Sequence, residues 1–132
     1  MDQSEYDLGD LMKIYVAASK IVSSKTIELL QEAGFEVDYN KNGKVLPPEQ
    51  LSNQIKDADG VLAGMEYYTS EVLSKCDKLK CISRIGESSK NIDQDYSKKN
   101  GIIITTVSSD VRVKYVAEMT IAALFSLYYN II

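Results

Sequence analysis

Short apolar runs and helix-patterned segments alternate along this chain from Lys13 onward, and that alternation restricts the fold more than any other feature. Ile14-Tyr15-Val16-Ala17-Ala18 has the length and continuity of a buried strand. Ser23 or Ser24 then offers an N-cap for a helix carrying Ile27, Leu30 and Ala33, which Gly34 stops. Phe35 to Tyr39 alternates apolar and polar as an edge strand does, and Asn42-Gly43 marks the turn after it. Pro47-Pro48-Glu49 opens a second helix with Leu51 and Ile55 on its inner face. Val61-Leu62-Ala63-Gly64 reads as a third strand, and Thr69 or Ser70 caps a helix holding Val72 and Leu73. Leu79 to Ile85 supplies a fourth strand, Asp93 to Asn100 a short helix ending at Gly101, and Ile102 to Thr106 a fifth strand. One long helix follows, its apolar positions Val113, Val116, Ala117, Ile121, Leu124, Leu127, Tyr128 and Ile131 recurring at i, i+3, i+4, i+7.

Right-handed crossovers place each such helix over a parallel sheet, so the pattern predicts an α/β fold with a doubly wound five-stranded sheet. Five units predict the flavodoxin-like order 2-1-3-4-5 with a long C-terminal helix. Residues 1–12, with Asp2, Glu5, Asp7 and Asp10, read as an acidic lead-in, and residues 13–132 as one domain. In this architecture ligands approach the carboxyl ends of the strands, here residues 19–23, 64–68, 86–90 and 107–111.

Composition removes several functions. The chain has no histidine, which excludes a Ser-His-Asp triad or a Cys-His nucleophile and takes away the commonest zinc ligand; we expect no metal site. A net charge of −4 with scattered lysines argues against a nucleic-acid partner. The uncharged run 119–132 is shorter than the roughly 18–20 apolar residues a membrane span needs, so no membrane partner is expected. Two cysteines, Cys76 and Cys81, and no signal peptide predict reduced thiols and a cytoplasmic location.

The segment Arg84-Ile85-Gly86-Glu87-Ser88-Ser89-Lys90-Asn91-Ile92-Asp93 leaves a buried strand and enters a helix. A glycine there lets backbone N–H groups converge on an anion while Asn91 or Asp93 caps the helix; an ordinary strand-to-helix loop is the plainer reading. Further strings surround it: Ala58-Asp59-Gly60-Val61-Leu62-Ala63-Gly64, Leu79 to Gly86, Asn91-Ile92-Asp93, Asn100-Gly101-Ile102-Ile103-Ile104-Thr105 and Val116-Ala117-Glu118-Met119-Thr120-Ile121. In order and near-spacing these strings resemble the D-2-hydroxyacid dehydrogenases of the phosphoglycerate dehydrogenase type.

The resemblance implies a substrate-binding domain whose loop after the fourth strand holds a substrate carboxylate on backbone amides. The site this resemblance implies comprises Arg84, Gly86, Glu87, Ser88, Ser89 and Lys90. Ser88 stands where the family's second glycine would be, Lys90 replaces an aspartate, and Met119 stands where many members have histidine. The family also implies NAD, bound by a second domain carrying a Gly-x-Gly-x-x-Gly loop, a substrate-clamping arginine and a glutamate–histidine pair. None of these motifs occurs before Ile132, so this chain alone is expected to bind no cofactor and to transfer no hydride, as a truncated or split enzyme. A non-catalytic module binding a small anion or a protein is the competing function. A phosphoacceptor receiver domain lacks its aspartate after Val61–Gly64, and an FMN loop is matched only weakly by Ser19 to Ser24.

The family's long helix crosses to the second domain. Here we expect one face of it, with Val116, Ile121, Leu124 and Tyr128, to lie on the chain's own sheet. A second face, with Met119, Ala122, Phe125, Tyr129 and Ile132, is expected to form an interface with a second copy or with the missing NAD-binding domain.

Overall fold

Proline, glycine and capping side chains end and begin the helices where the residue types require. Pro47 and Pro48 occupy the N-cap and first position of one helix, where a missing N–H leaves no intrahelical bond unmade. Thr69 Oγ1 accepts from the Val72 amide at 3.3 Å and Asp93 Oδ1 from the Tyr96 amide at 2.9 Å, each satisfying a first-turn donor. Gly34, at φ +89°, turns the chain out of the first helix in a conformation that other residues adopt only at a cost. Ser23 precedes that helix without a side-chain bond to its backbone; its hydroxyl lies 3.4 Å from that of Thr26.

The computed structural model describes residues 11–107 and 109–129, with side-chain environments for all of these except 109–113, 115 and 126–129. Most of the expected lead-in, residues 1–10, lies outside the described residues, as does Ile132. In order the elements are β1 (Lys13–Val16), α1 (Ser24–Glu32), β2 (Glu36–Tyr39), α2 (Pro48–Ile55), β3 (Gly60–Ala63), α3 (Ser70–Leu73), β4 (Cys81–Arg84), α4 (Gln94–Lys99), β5 (Ile103–Thr106) and α5 (Ser109–Tyr129). All strand pairs are parallel and the order is β2-β1-β3-β4-β5, as the alternation predicts.

Register sorts the side chains into two faces. Tyr15, Val61, Ile82 and Ile104 stand in one row across β1, β3, β4 and β5. They meet Leu51 and Ile55 of α2, Val72 and Leu73 of α3, and Cys76, Leu79, Ile92 and Ile102 in the continuous core. The opposite row runs through Ile14, Gly60, Cys81 and Ile103, and there Ile103 is 64% exposed. Helix α1 buries none of its residues.

The long helix corrects one expectation. Val116, Ile121 and Leu124, expected on the sheet, are 62%, 53% and 60% exposed, and every side chain described from Val116 to Phe125 is exposed. The physical reason lies in the sequence itself, whose apolar residues after Glu118 fall on all sides of α5. A 3.6-residue repeat then marks no single face to be turned inward.

Candidate functional site

The carboxyl ends of β3 and β4 are joined by one side chain. Asn91 donates from Nδ2 to the carbonyls of Gly64 (3.2 Å) and Glu66 (2.6 Å), and its Oδ1 accepts from Arg84 Nε at 3.2 Å. Backbone bonds extend the clamp: the Tyr68 amide donates to Asn91 O at 2.8 Å and the Asp93 amide to Tyr68 O at 2.9 Å. Asn91, expected as a possible cap, thus holds two loops together, and Asp93 is the cap.

The clamped loop places charge inward and hydrocarbon outward. Glu66 is 2% exposed, with Oε2 accepting from the Gly64 amide at 3.1 Å, and Tyr68 is fully buried. Met65 and Tyr67, on either side of Glu66, are 64% and 65% exposed. The Tyr68 hydroxyl is the one buried side-chain polar atom among the described residues without a hydrogen-bond partner. Burial, then the Glu66 carboxylate and Tyr15, raise its pKa well above 10.0, against a lowering by Arg84. Tyr15 is pushed up to about 12 by burial first, then by Asp38 and Glu66. Both phenols stay neutral across the physiological range.

Gly86 turns the chain after β4 at φ +141°, a backbone conformation that favours glycine, and a Cβ there would push aside the Arg84 guanidinium, whose Nη1 lies 2.9 Å from its position. Its carbonyl accepts from the Val107 amide at 3.0 Å, tying the loop to the end of β5. Arg84 Nη1 also donates to the Ile85 carbonyl. Ser88 Oγ accepts from the Lys90 amide at 3.4 Å, and Ser89 accepts from Gln94 Nε2 at its hydroxyl (2.7 Å) and carbonyl (3.1 Å).

A cavity of about 250 Å³ opens here, lined by Met65, Tyr67, Arg84, Ser88, Lys90 and Asn91. Three of the six residues expected from sequence, Arg84, Ser88 and Lys90, line it. Gly86 and Ser89 shape the loop behind it, and Glu87 is exposed without lining the cavity. Met65, Tyr67 and the clamping role of Asn91 were not foreseen; the alternation of large apolar and inward polar residues from Met65 to Tyr68 is the signal that carries them. Two larger hollows lie elsewhere. One of about 450 Å³ lies beside β2 and α2, and one of about 810 Å³ lies at the amino ends of the strands among Asp57, Asp59, Asp77 and Lys78. Size alone favours these, yet the carboxyl-edge cavity is the one that two cationic side chains, Arg84 and Lys90, line at the strand ends where ligands approach this architecture.

Among the described residues no cluster of His, Cys, Asp or Glu could hold a metal ion, and no helix is long and apolar enough to cross a membrane. No pair or trio of the seven glycines has the Gly-x-Gly-x-x-Gly spacing that brings backbone onto a pyrophosphate. Cys76 and Cys81 are free thiols whose pKa values burial raises.

Residues 15–128 match the family model described as D-isomer specific 2-hydroxyacid dehydrogenase, catalytic domain. The chain is 35% identical over 106 residues to a D-3-phosphoglycerate dehydrogenase of Methanocaldococcus jannaschii, covering 80% of this chain and 19% of that protein. An NAD+-bound 3-phosphoglycerate dehydrogenase structure from Entamoeba histolytica superposes with a TM-score of 0.63 at 30% identity, covering 74% of this chain and 33% of that one. A Thermus thermophilus protein structure gives 0.73 at 25% identity, covering 87% and 36%. The chain spans between 14% and 35% of the length of the curated relatives it matches.

Proposed function

This chain belongs to the D-isomer-specific 2-hydroxyacid dehydrogenase family, through that family's catalytic domain, and we propose that its 132 residues form the substrate-binding part of such an enzyme without performing hydride transfer alone. The observation that carries the reading is the Gly86 turn: left-handed backbone at the carboxyl end of β4, beside a cavity lined by Arg84, Ser88 and Lys90. Backbone amides of residues 86–89 hold a carboxylate there, and Arg84 and Lys90 supply positive charge. Exposed Glu87 opposes the anion, through solvent that screens it. NAD belongs to a separate nucleotide-binding domain or chain, and this half positions the acid. The same reading keeps Cys76 and Cys81 reduced in the cytoplasm.

Amide chemical-shift mapping with glycerate or pyruvate tests the site, which should respond first at residues 86–90. Shifts clustered elsewhere would remove the carboxylate assignment and favour the alternative, a regulatory module on the same fold. Ser88→Gly should strengthen binding if backbone geometry is limiting, and leave it unchanged if Glu87 repulsion dominates. NADH titration should show no saturation at micromolar cofactor; saturable binding would contradict the division of labour.

We also infer that α5 is covered in the working protein, by the NAD-binding domain or by a second copy of the chain. Val116, Met119, Ile121 and Leu124 are each more than half exposed, and soluble monomers seldom leave large apolar surface open to water. The face expected from sequence holds Met119, Ala122 and Phe125 among its exposed members, while the Tyr129 side chain and Ile132 lie outside the described residues. Sedimentation of the wild type against a Met119→Lys, Ile121→Glu variant tests this. Wild-type chain that stays monomeric at high concentration would rule out the second copy.

A further inference from the structure

We propose that Asn42 is a site of spontaneous covalent modification, closing on the Gly43 amide to a succinimide that water opens to aspartate and isoaspartate, while the fold slows the same reaction at Asn100-Gly101. The inference is independent of the carboxylate reading of the Gly86 loop, since Asn42 does not line that cavity.

Asn-Gly occurs twice in the sequence, at residues 42–43 and 100–101. The chemistry is the same at both. The glycine backbone nitrogen, its proton lost to hydroxide, attacks the asparagine Cγ; a C–N bond forms, the Cγ–Nδ2 bond breaks and ammonia leaves. Water then adds to one of the two imide carbonyls and breaks its bond to nitrogen. One water enters for each ammonia released, and nothing is oxidised or reduced. Glycine favours ring closure because no side chain shields its nitrogen and its backbone turns freely. Asn42, Asn100 and Gly101 are exposed and Gly43 is half-buried. The glycine amides are matched as well: Gly43 donates to the Asn40 carbonyl at 3.3 Å, and Gly101 to the Lys98 carbonyl at 3.4 Å.

The two asparagines are held differently. Asn100 is the C-cap of α4, with Nδ2 donating to the Tyr96 carbonyl at 2.8 Å and its own amide donating to the same carbonyl at 3.0 Å. For the ring to close, the next nitrogen must nearly eclipse the Cα–Cβ bond, and a ψ of +11° keeps the Gly101 nitrogen well away from it. Rotation there would also displace Ile102, a core residue whose amide donates to the Ser97 carbonyl at 2.9 Å. Asn42 makes no side-chain hydrogen bond among the described residues. It stands in a turn followed by exposed Lys44 and Val45, on the rim of the hollow beside β2 and α2.

The product bears on the turn that forms it. Buried Asn40 closes this turn, donating from Nδ2 to the carbonyls of Ala17 at 3.4 Å and Lys44 at 2.7 Å. An isoaspartyl link routes the main chain through the Cβ of residue 42 and adds one atom to the ring closed by the Asn40–Lys44 bond. That bond is strained, and the grip of Asn40 on β1 loosens with it.

The test incubates the folded 132-residue chain, and the same chain in guanidinium chloride, at mildly alkaline pH in water enriched in heavy oxygen. Cleavage after glutamate releases residues 37–49 and 88–118, which carry the two pairs separately, for mass analysis that locates the incorporated oxygen and resolves the isoaspartyl form. In denaturant the two pairs should react at comparable rates. In the folded chain Asn42 should react about ten-fold or more faster than Asn100, whose side-chain bond and helix end must open first. The isoaspartyl product should shift the Ala17 amide, and an Asn42→Asp variant, which keeps the normal backbone, should leave it near its wild-type position. Equal rates in the folded chain, a faster Asn100, an Asn42 slowed by folding as strongly as Asn100, or no reaction at either pair in denaturant would each overturn the proposal.

Discussion

The two faces of the sheet are finished to different degrees. On one, α2, α3 and α4 close over Tyr15, Val61 and Ile82, and Leu51, Ile55 and Ile82 have no exposed surface. On the other, α1 buries no residue and Ile103 of the edge strand is mostly exposed; the described side chains of α5 from Val116 to Phe125, not assigned to either face, are exposed as well. The difference separates two kinds of hydrophobic pattern. Amphipathic α2 states which side faces inward and folds against it within the chain. Helix α5 is apolar on every side after Glu118 and states only that this part is to be covered, with no indication by what.

The largest effect expected from this contrast is on stability. Ile55→Ala, on the closed face, should cost about 2–5 kcal/mol, whereas Ile103→Ala on the open face should stay within about 0.5 kcal/mol in the isolated chain. Urea midpoints of dilute protein compare them. Similar losses at both sites would dissolve the distinction.

Alkaline pH should strike the closed face next. Burial, then Asp77, push the Cys76 thiol from 9.0 up to about 11, against Lys75. The unfolded thiol ionises first, so this contribution is intact below pH ~9 and is lost as pH rises toward ~11, roughly 2 kcal/mol in all. Tyr15 extends the loss over a higher window, toward about 12. Unfolding midpoints followed across this range should fall, and Cys76→Ala should flatten the earlier part of the fall. A midpoint that climbs with pH would have the wrong sign for buried neutral acids.

A smaller effect belongs to Tyr68. Its hydroxyl is buried without a partner, so Tyr68→Phe should raise stability by about 1 kcal/mol or leave it unchanged. A clear loss in the same urea assay would reveal a hydrogen bond to that oxygen.

Strand order was legible from sequence because each helix boundary carries its own chemistry: Pro48 at a first turn, Thr69 and Asp93 as caps, Gly34 as a stop. The Gly86 loop was legible for the same reason, through a glycine leaving a strand. What escaped is decided by tertiary contact. Helical spacing put Val116, Ile121 and Leu124 on the sheet, but spacing in a stretch that is apolar on every side does not distinguish the chain's own sheet from a partner's surface. Hydropathy likewise predicts Met65 and Tyr67 inside and Glu66 outside. The amide of Asn91, far along the chain from Gly64, and the Gly64 amide reverse that order by satisfying Glu66 and its neighbours within the fold.

Amide hydrogen exchange tests the central contrast most directly, because it reads both faces in one sample. At micromolar concentration the amides of Ile55, Val61 and Ile82 should exchange only through global unfolding, while those of residues 116–125 exchange within seconds. At millimolar concentration, or with an NAD-binding domain added, residues 116–125 should gain protection and the closed face should be little changed. Strong protection of residues 116–125 in dilute chain alone would show that α5 packs on its own sheet, and would contradict the account.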